Sequence, residues 1–237
     1  MKKYSSAFTL AEVLITLGII GIIASLTLPA LIQKNNNRIV ETRLMKFYST
    51  INQAVRLAEV DYGDKKYWYS DLKGAEIDKD GNPVPGSSEA EKWFNKYLAP
   101  YMKIIKTEIL SNGSLIIYLP DGSAFGPRTN TTRDWDFYPG NAQKCIDSGN
   151  KRGTCVFSFN FVPIKPEDEN EIWKWVYHVN RGFEPWKFRW DGTREQLEDL
   201  CYTNKMEGSV SGRNYCTALI QLNNWKIPDD YPYKVSY

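Results

Sequence analysis

The chain has 237 residues, 42% of them hydrophobic, 14% aromatic and 24% charged, with a formal net charge of +2. The length past the first helix suffices for one domain with a real core, and no internal repeat or low-complexity linker divides it. Charge near balance excludes the broad electrostatic footprint of a strongly basic nucleic-acid-binding domain, though it leaves local DNA contact open; without Lys2 and Lys3 the excess disappears.

The first element is apolar. After Lys2-Lys3 and Ser5-Ser6-Ala7, the segment Phe8-Thr9-Leu10-Ala11-Glu12 opens a run from Val13 to Ile32 without a charge, about the length a helix needs to cross a bilayer. An ordinary secretory signal would be shorter and would end at a small-residue cleavage site. This run instead passes through Pro29-Ala30-Leu31-Ile32 into a charged helical pattern. A plain membrane anchor explains the length and puts Glu12 at headgroup level, where a charge costs little, but it gives the spacing from Phe8 to Glu12 no purpose.

That spacing carries a resemblance. Ala7, then Phe8-Thr9-Leu10-Ala11-Glu12 and an apolar helix, resembles the class III signal of type IV pilins and type II secretion pseudopilins. In that family a prepilin peptidase cuts before the Phe, the new N-terminus is methylated, and a Glu falls fifth in the mature chain, as Glu12 does counting from Phe8. Pro29 matches a proline that many members carry in this helix, whereas Ala7 stands where the family usually has Gly. The resemblance implies cleavage between Ala7 and Phe8, N-methylation at Phe8, and an assembly role for Glu12. It further implies an α+β pilin-like fold, a leader over 1–7, a transmembrane or filament-core segment over 8–32, and an amphipathic helix continuing into one head over 33–237. The implied partners are other pilin or pseudopilin subunits, the prepilin peptidase/methyltransferase and an inner-membrane assembly platform. The implied location is the bacterial inner membrane, single-pass, before incorporation into a pilus or pseudopilus, with the head periplasmic or extracellular. Pilus and pseudopilus stay open.

Physical chemistry supports a role for Glu12 apart from the name. Cleavage would expose a Phe8 amine of pKa about 7.7 to 8, largely cationic, at a helix end that disfavours cations and favours carboxylates. Glu12 could pair with that amine in its own chain or in a neighbour's. Inside a helix bundle an unpaired charge is costly, so the pair would fix register.

Next, Val40, Leu44, Phe47, Ile51, Ala54, Val55 and Ala58 recur at three-to-four spacing, which predicts one amphipathic helix continuing to about Asp61 with that stripe packed on a core. Asn35-Asn36-Asn37 marks a weak point between the halves. Basic residues flank the apolar run on both sides, Lys2 and Lys3 against Lys34, Arg38, Arg43 and Lys46, so the positive-inside rule leaves orientation undecided.

Ser88 and Glu91 have capping-box spacing before Trp93, Phe94, Tyr97 and Leu98, predicting a second helix. Between the two helices, Asp78, Asp80, Asn82 and Glu89 fall at calcium-loop positions, but Pro83 stands where that loop needs Gly, so a solvated turn is the preferred reading and calcium a weak candidate. Leu115 to Leu119 followed by Pro120-Asp121-Gly122 predicts a strand and turn, with Ala124-Phe125 returning. Cys155, Phe157, Phe159 and Phe161 alternate with Val156, Ser158, Asn160 and Val162, and Trp173, Trp175, Tyr177 and Val179 alternate similarly; both runs read as antiparallel strands with one buried aromatic face. Thr193 with Gln196 caps a helix ending near Cys201, and another runs from about Arg213 to Asn223.

Cys145, Cys155, Cys201 and Cys216 form an even set in loop-rich sequence, which suits an oxidising compartment. They make no CxxC or Cys/His cluster, so zinc is not expected. Three connectivities are open; the local pairs Cys145 with Cys155 and Cys201 with Cys216 are favoured.

Two features could bind a ligand or catalyse. Arg181 and the run Trp186-Lys187-Phe188-Arg189-Trp190 interleave aromatics with cations, the composition of a surface that stacks sugars or bases, against the alternative of edge-strand packing. Catalytic patterns such as G-x-S-x-G, H-E-x-x-H, a P-loop or Rossmann glycines are absent, and His178, placed on the expected strand, reads as structural. The expectation is a non-enzymatic structural subunit without a cofactor; the alternative is a membrane-tethered carbohydrate- or DNA-binding domain that does not polymerise.

Overall fold

A computed structural model describes residues 9–68, 70, 72–128, 132–163, 174–203, 205–207 and 210–237; Ala7, Phe8 and Trp173 lie outside the described residues.

The first helix, α1 (Leu10–Tyr62), runs 53 residues without a break through Pro29 and through Asn35-Asn36-Asn37, roughly 80 Å at 1.5 Å per residue. At the triple-Asn segment Gln33 Nε2 donates to Asn37 Oδ1 at 2.7 Å across one turn. Val40, Leu44, Phe47, Ile51, Ala54, Val55 and Ala58 are all buried, the stripe the periodicity predicts. Helix and sheet therefore meet along one seam.

That seam lies on a six-stranded antiparallel sheet whose spatial order follows the chain: β1 (Lys106–Ile109), β2 (Leu115–Tyr118), β3 (Ala124–Pro127), β4 (Asp134–Tyr138), β5 (Phe157–Phe161) and β6 (Phe183–Pro185). Strand alternation sends Phe125, Trp135, Phe137, Phe159 and Phe161 to the face under α1, where they join one core cluster with Phe47 and Ile51. Phe47 stacks on Phe137 at 4.4 Å between ring centroids. Helix α2 (Glu89–Tyr97) closes the core beside it with Trp93 and Phe94. Of the expected capping box only half forms: Ser88 accepts from the Glu91 N–H at 3.1 Å, while the Glu91 carboxylate turns to the Thr107 hydroxyl.

The opposite sheet face carries polar residues. Short helix α3 (Ala142–Asp147) and the region of α4 (Arg194–Thr203) and α5 (Cys216–Leu222) cover it. A small hairpin, β7 (Met206–Glu207) and β8 (Val210–Ser211), leads into a 3-10 turn over Gly212–Tyr215, so the last helix starts at Cys216 rather than near Arg213. The disulfides join Cys145 to Cys155 and Cys201 to Cys216; the second ties α4 to α5.

One expected strand is a helical turn instead. Around Trp175 the backbone bonds locally, with His178 N–H and Val179 N–H both donating to the Trp175 carbonyl at 2.8 and 3.2 Å. The sheet edge that such a strand would need is taken by β6, which pairs Phe183 with Phe161 and Pro185 with Phe159.

Candidate functional site

The apolar half of α1 is the candidate site, and it begins with a cap. The sequence Thr9-Leu10-Ala11-Glu12 has the spacing at which a hydroxyl and a carboxylate satisfy each other's backbone donors. Thr9 Oγ1 accepts from the Glu12 N–H at 3.2 Å, and the Glu12 carboxylate accepts from the Thr9 N–H and hydroxyl, each at 2.8 Å. Glu12 therefore already has an intrachain partner, one that the pairing with the Phe8 amine did not include. The signal, Thr three residues before Glu, was legible in the sequence.

Past the cap, none of the most apolar span of α1 is buried. Leu10, Leu14, Ile19, Ile22, Leu26, Leu31 and Ile32 are each more than half exposed, Leu10 to 79%. Leaving so many large apolar side chains in water is unfavourable by about 1.5 to 3 kcal/mol for each one that burial would remove. The exposure runs round the helix, which marks a segment made for lipid or for other helices rather than for its own domain.

The head is joined to this helix at its base by polar contacts. Glu41 accepts from the Ile227 N–H at 3.0 Å and pairs with Lys226 at 2.9 Å; Gln33 donates to the Val235 carbonyl at 3.2 Å. Arg43 donates to the Pro139 carbonyl and lies under the Tyr237 ring at 5.2 Å.

The other candidate residues fall into separate places. Trp186 is buried, packed against Trp175 and covered by the Arg128 guanidinium 4.7 Å from its ring. Lys187 is nearly buried and pairs with Glu184 at 3.2 Å. The run from Trp186 to Trp190 is thus core with a half-exposed rim at Arg189 and Trp190, and Arg181 is exposed on a different loop. In the calcium-loop candidate, Asp78 Oδ1 accepts from the Asp80 and Asn82 N–H groups, a closed turn, while Glu89 accepts from the Lys73 N–H at 3.0 Å. The described residues hold no group of three or more metal-ligating side chains.

The sheet face away from α1 holds a charge cluster that the sequence reading missed. Asp134 and Asp136 on β4 are buried. Arg128 and Arg152 approach Asp136 at 3.6 and 3.2 Å, Arg133 pairs with Asp134 at 3.1 Å, and Arg128 donates to Asn214 Oδ1 at 2.6 Å. Each acid has a cation, as burial requires. The cluster joins sheet and C-terminal region, and its carboxylates are committed to that join.

A long helix with an exposed, capped apolar half and an amphipathic half laid on an antiparallel sheet defines a pilin-type subunit, and residues 2–28 match the prokaryotic N-terminal methylation motif. The chain belongs to a family of unknown function (DUF6613), matched over residues 30–235. No curated protein and no solved structure matches it.

Proposed function

We propose that the chain is a structural subunit of a type IV pilus or type II secretion pseudopilus. It is made with a leader over 1–7, cut between Ala7 and Phe8 and methylated at Phe8. Residues 8–32 hold it in the inner membrane and then pack against the same segment of other subunits. Residues 33–237 form the head, outside the cytoplasm, where its disulfides are stable.

The exposure of the whole apolar half of α1 carries this reading. Lipid and a bundle of identical helices are the two surroundings that relieve it, and the subunit would pass from one to the other. In the bundle Glu12 would keep its Thr9 contacts and offer a remaining lone pair to the methylated amine of a neighbour, so that a mismatched register strands a charge.

Intact-mass measurement on sheared surface filaments tests the proposal. The expected species is a chain beginning at methylated Phe8, with Glu12→Ala processed but absent from filaments. An uncleaved chain confined to membranes would overturn it in favour of a tethered binding domain. Filaments of Glu12→Ala in normal yield and register would remove Glu12 from the assembly role.

A further inference from the structure

Where α1 meets the start of β6, the surface opens into a cleft of about 490 Å³, within the size range of small-molecule sites. Tyr48, Asn52, Arg56 and Glu59 follow one another at helical spacing along one side of α1, and the loop Asn180-Arg181-Gly182 forms the other side. The two sides are held in place. Asn52 reads the β6 backbone at both positions of Phe183, accepting from its N–H and donating to its carbonyl, each at 2.9 Å. Gly182 makes that approach possible, because a Cβ there would sit 2.0 Å from Asn52 Oδ1. Asn180 takes a left-handed backbone, φ 59°, and turns the chain so that Arg181 follows directly at the rim.

The charges in this cleft do not cancel. Glu59 is held by Lys65 at 2.9 Å. Glu184 is held by Lys187 at 3.2 Å and accepts from the Tyr48 hydroxyl at 2.8 Å. Burial, reinforced by Glu184, pushes that hydroxyl up to about 12, so it remains a donor. Both carboxylates are therefore neutralised inside the protein. Arg56 and Arg181 are exposed, and neither is in an ion pair among the described residues. Two guanidiniums thus face one rigid cleft in excess of its acids.

We propose that this cleft binds a small ligand through an oxyanion group, a carboxylate or a phosphate, gripped by Arg56 and Arg181. The guanidinium fork matches both groups, with paired N–H donors at fixed geometry. The volume suits a ligand of sugar-acid or sugar-phosphate size, and Ser49 on the same wall offers a hydroxyl to it. On α1 the cleft lies about 30 Å beyond the apolar half, at 1.5 Å per residue from Ile32 to Asn52, so it stands well clear of the lipid.

The full chain in detergent, titrated by calorimetry with glucuronate, glucose 6-phosphate and glucose, tests this. Saturable binding of glucuronate, of glucose 6-phosphate or of both is expected, with glucose silent; the arm that binds identifies the anion. Arg56→Gln and Arg181→Gln, both at exposed positions, should keep the melting temperature and weaken binding at least tenfold each. Binding of glucose equal to that of its charged relatives, no saturable binding in any arm, or unchanged affinity in both variants would overturn the proposal.

Discussion

His178 shows how a single buried residue sets a pH limit. It is fully buried, its Nε2 accepts from the Lys187 N–H at 3.2 Å, and its Nδ1 has no hydrogen-bond partner among the described residues. An accepting Nε2 places the proton on Nδ1. A second proton would have to enter at Nε2, against that N–H, and beside the Lys187 ammonium. Burial, with Lys187 adding to it, accordingly holds the pKa at about 3, from an ordinary 6.5. Between these values the unfolded chain binds a proton that the folded one refuses. Stability is therefore full above pH 6.5 and falls as pH drops toward 3, by up to about 1.4 kcal/mol per unit. His178→Gln can still accept from Lys187 but does not titrate. Its melting temperature should vary less between pH 6.5 and 5 than that of the parent chain. Equal slopes would show that other groups set the acid limit.

At the scale of elements, Asn52 decides how β6 is held to α1. Replacing it with Ala leaves the Phe183 N–H without its partner, and the same change removes the donor to the Phe183 carbonyl. A cost of about 2 kcal/mol is expected, in the range for stranding buried polar groups, and chemical denaturation would measure it. A cost below 0.5 kcal/mol, the scatter of ordinary surface changes, would mean that water replaces both bonds.

The elements also show what a sequence can disclose. The stripe from Val40 to Ala58 coincides with the buried set of α1 because its partner surface is a flat sheet and the helical period alone selects the contacts. β4 was not legible. Asp134 and Asp136 interrupt any apolar pattern, and the arginines that compensate Asp136, Arg128 and Arg152, stand at other places in the sequence. Trp186 looked like surface because cations flank it, yet the cation that covers it is Arg128, distant in the chain. The alternation through Trp175 and Val179 mimics a strand, and was overruled by local bonds once β6 had filled the edge. Of the candidate site, Glu12 was visible, while the cap that holds it was written in Thr9 and passed over. The cleft between Arg56 and Arg181 could not be read at all, since only the fold brings that side of α1 against that loop.

For the whole molecule, the core begins at Val40 and the apolar half of α1 contributes nothing to it. Deleting residues 1–32 should leave a head that is soluble without detergent, with an unfolding free energy unchanged to within about 0.5 kcal/mol, and unable to enter filaments. Circular dichroism and gel filtration would check this. A truncated chain that unfolds or aggregates would show that the head needs the first half of α1.

Because α1 is one continuous helix, a pull on its apolar half reaches the Phe47 seam without passing through any loop. Pro29 builds a soft point into that path. Pro29 supplies no N–H to the Ser25 carbonyl, and in the same turns Ser25 and Thr27 spend their hydroxyls on the carbonyls of Ile22 and Ile23. Drawing one turn there from 1.5 toward about 3.3 Å per residue yields roughly 7 Å of extension. Under tension this turn is therefore expected to draw out before the aromatic core opens.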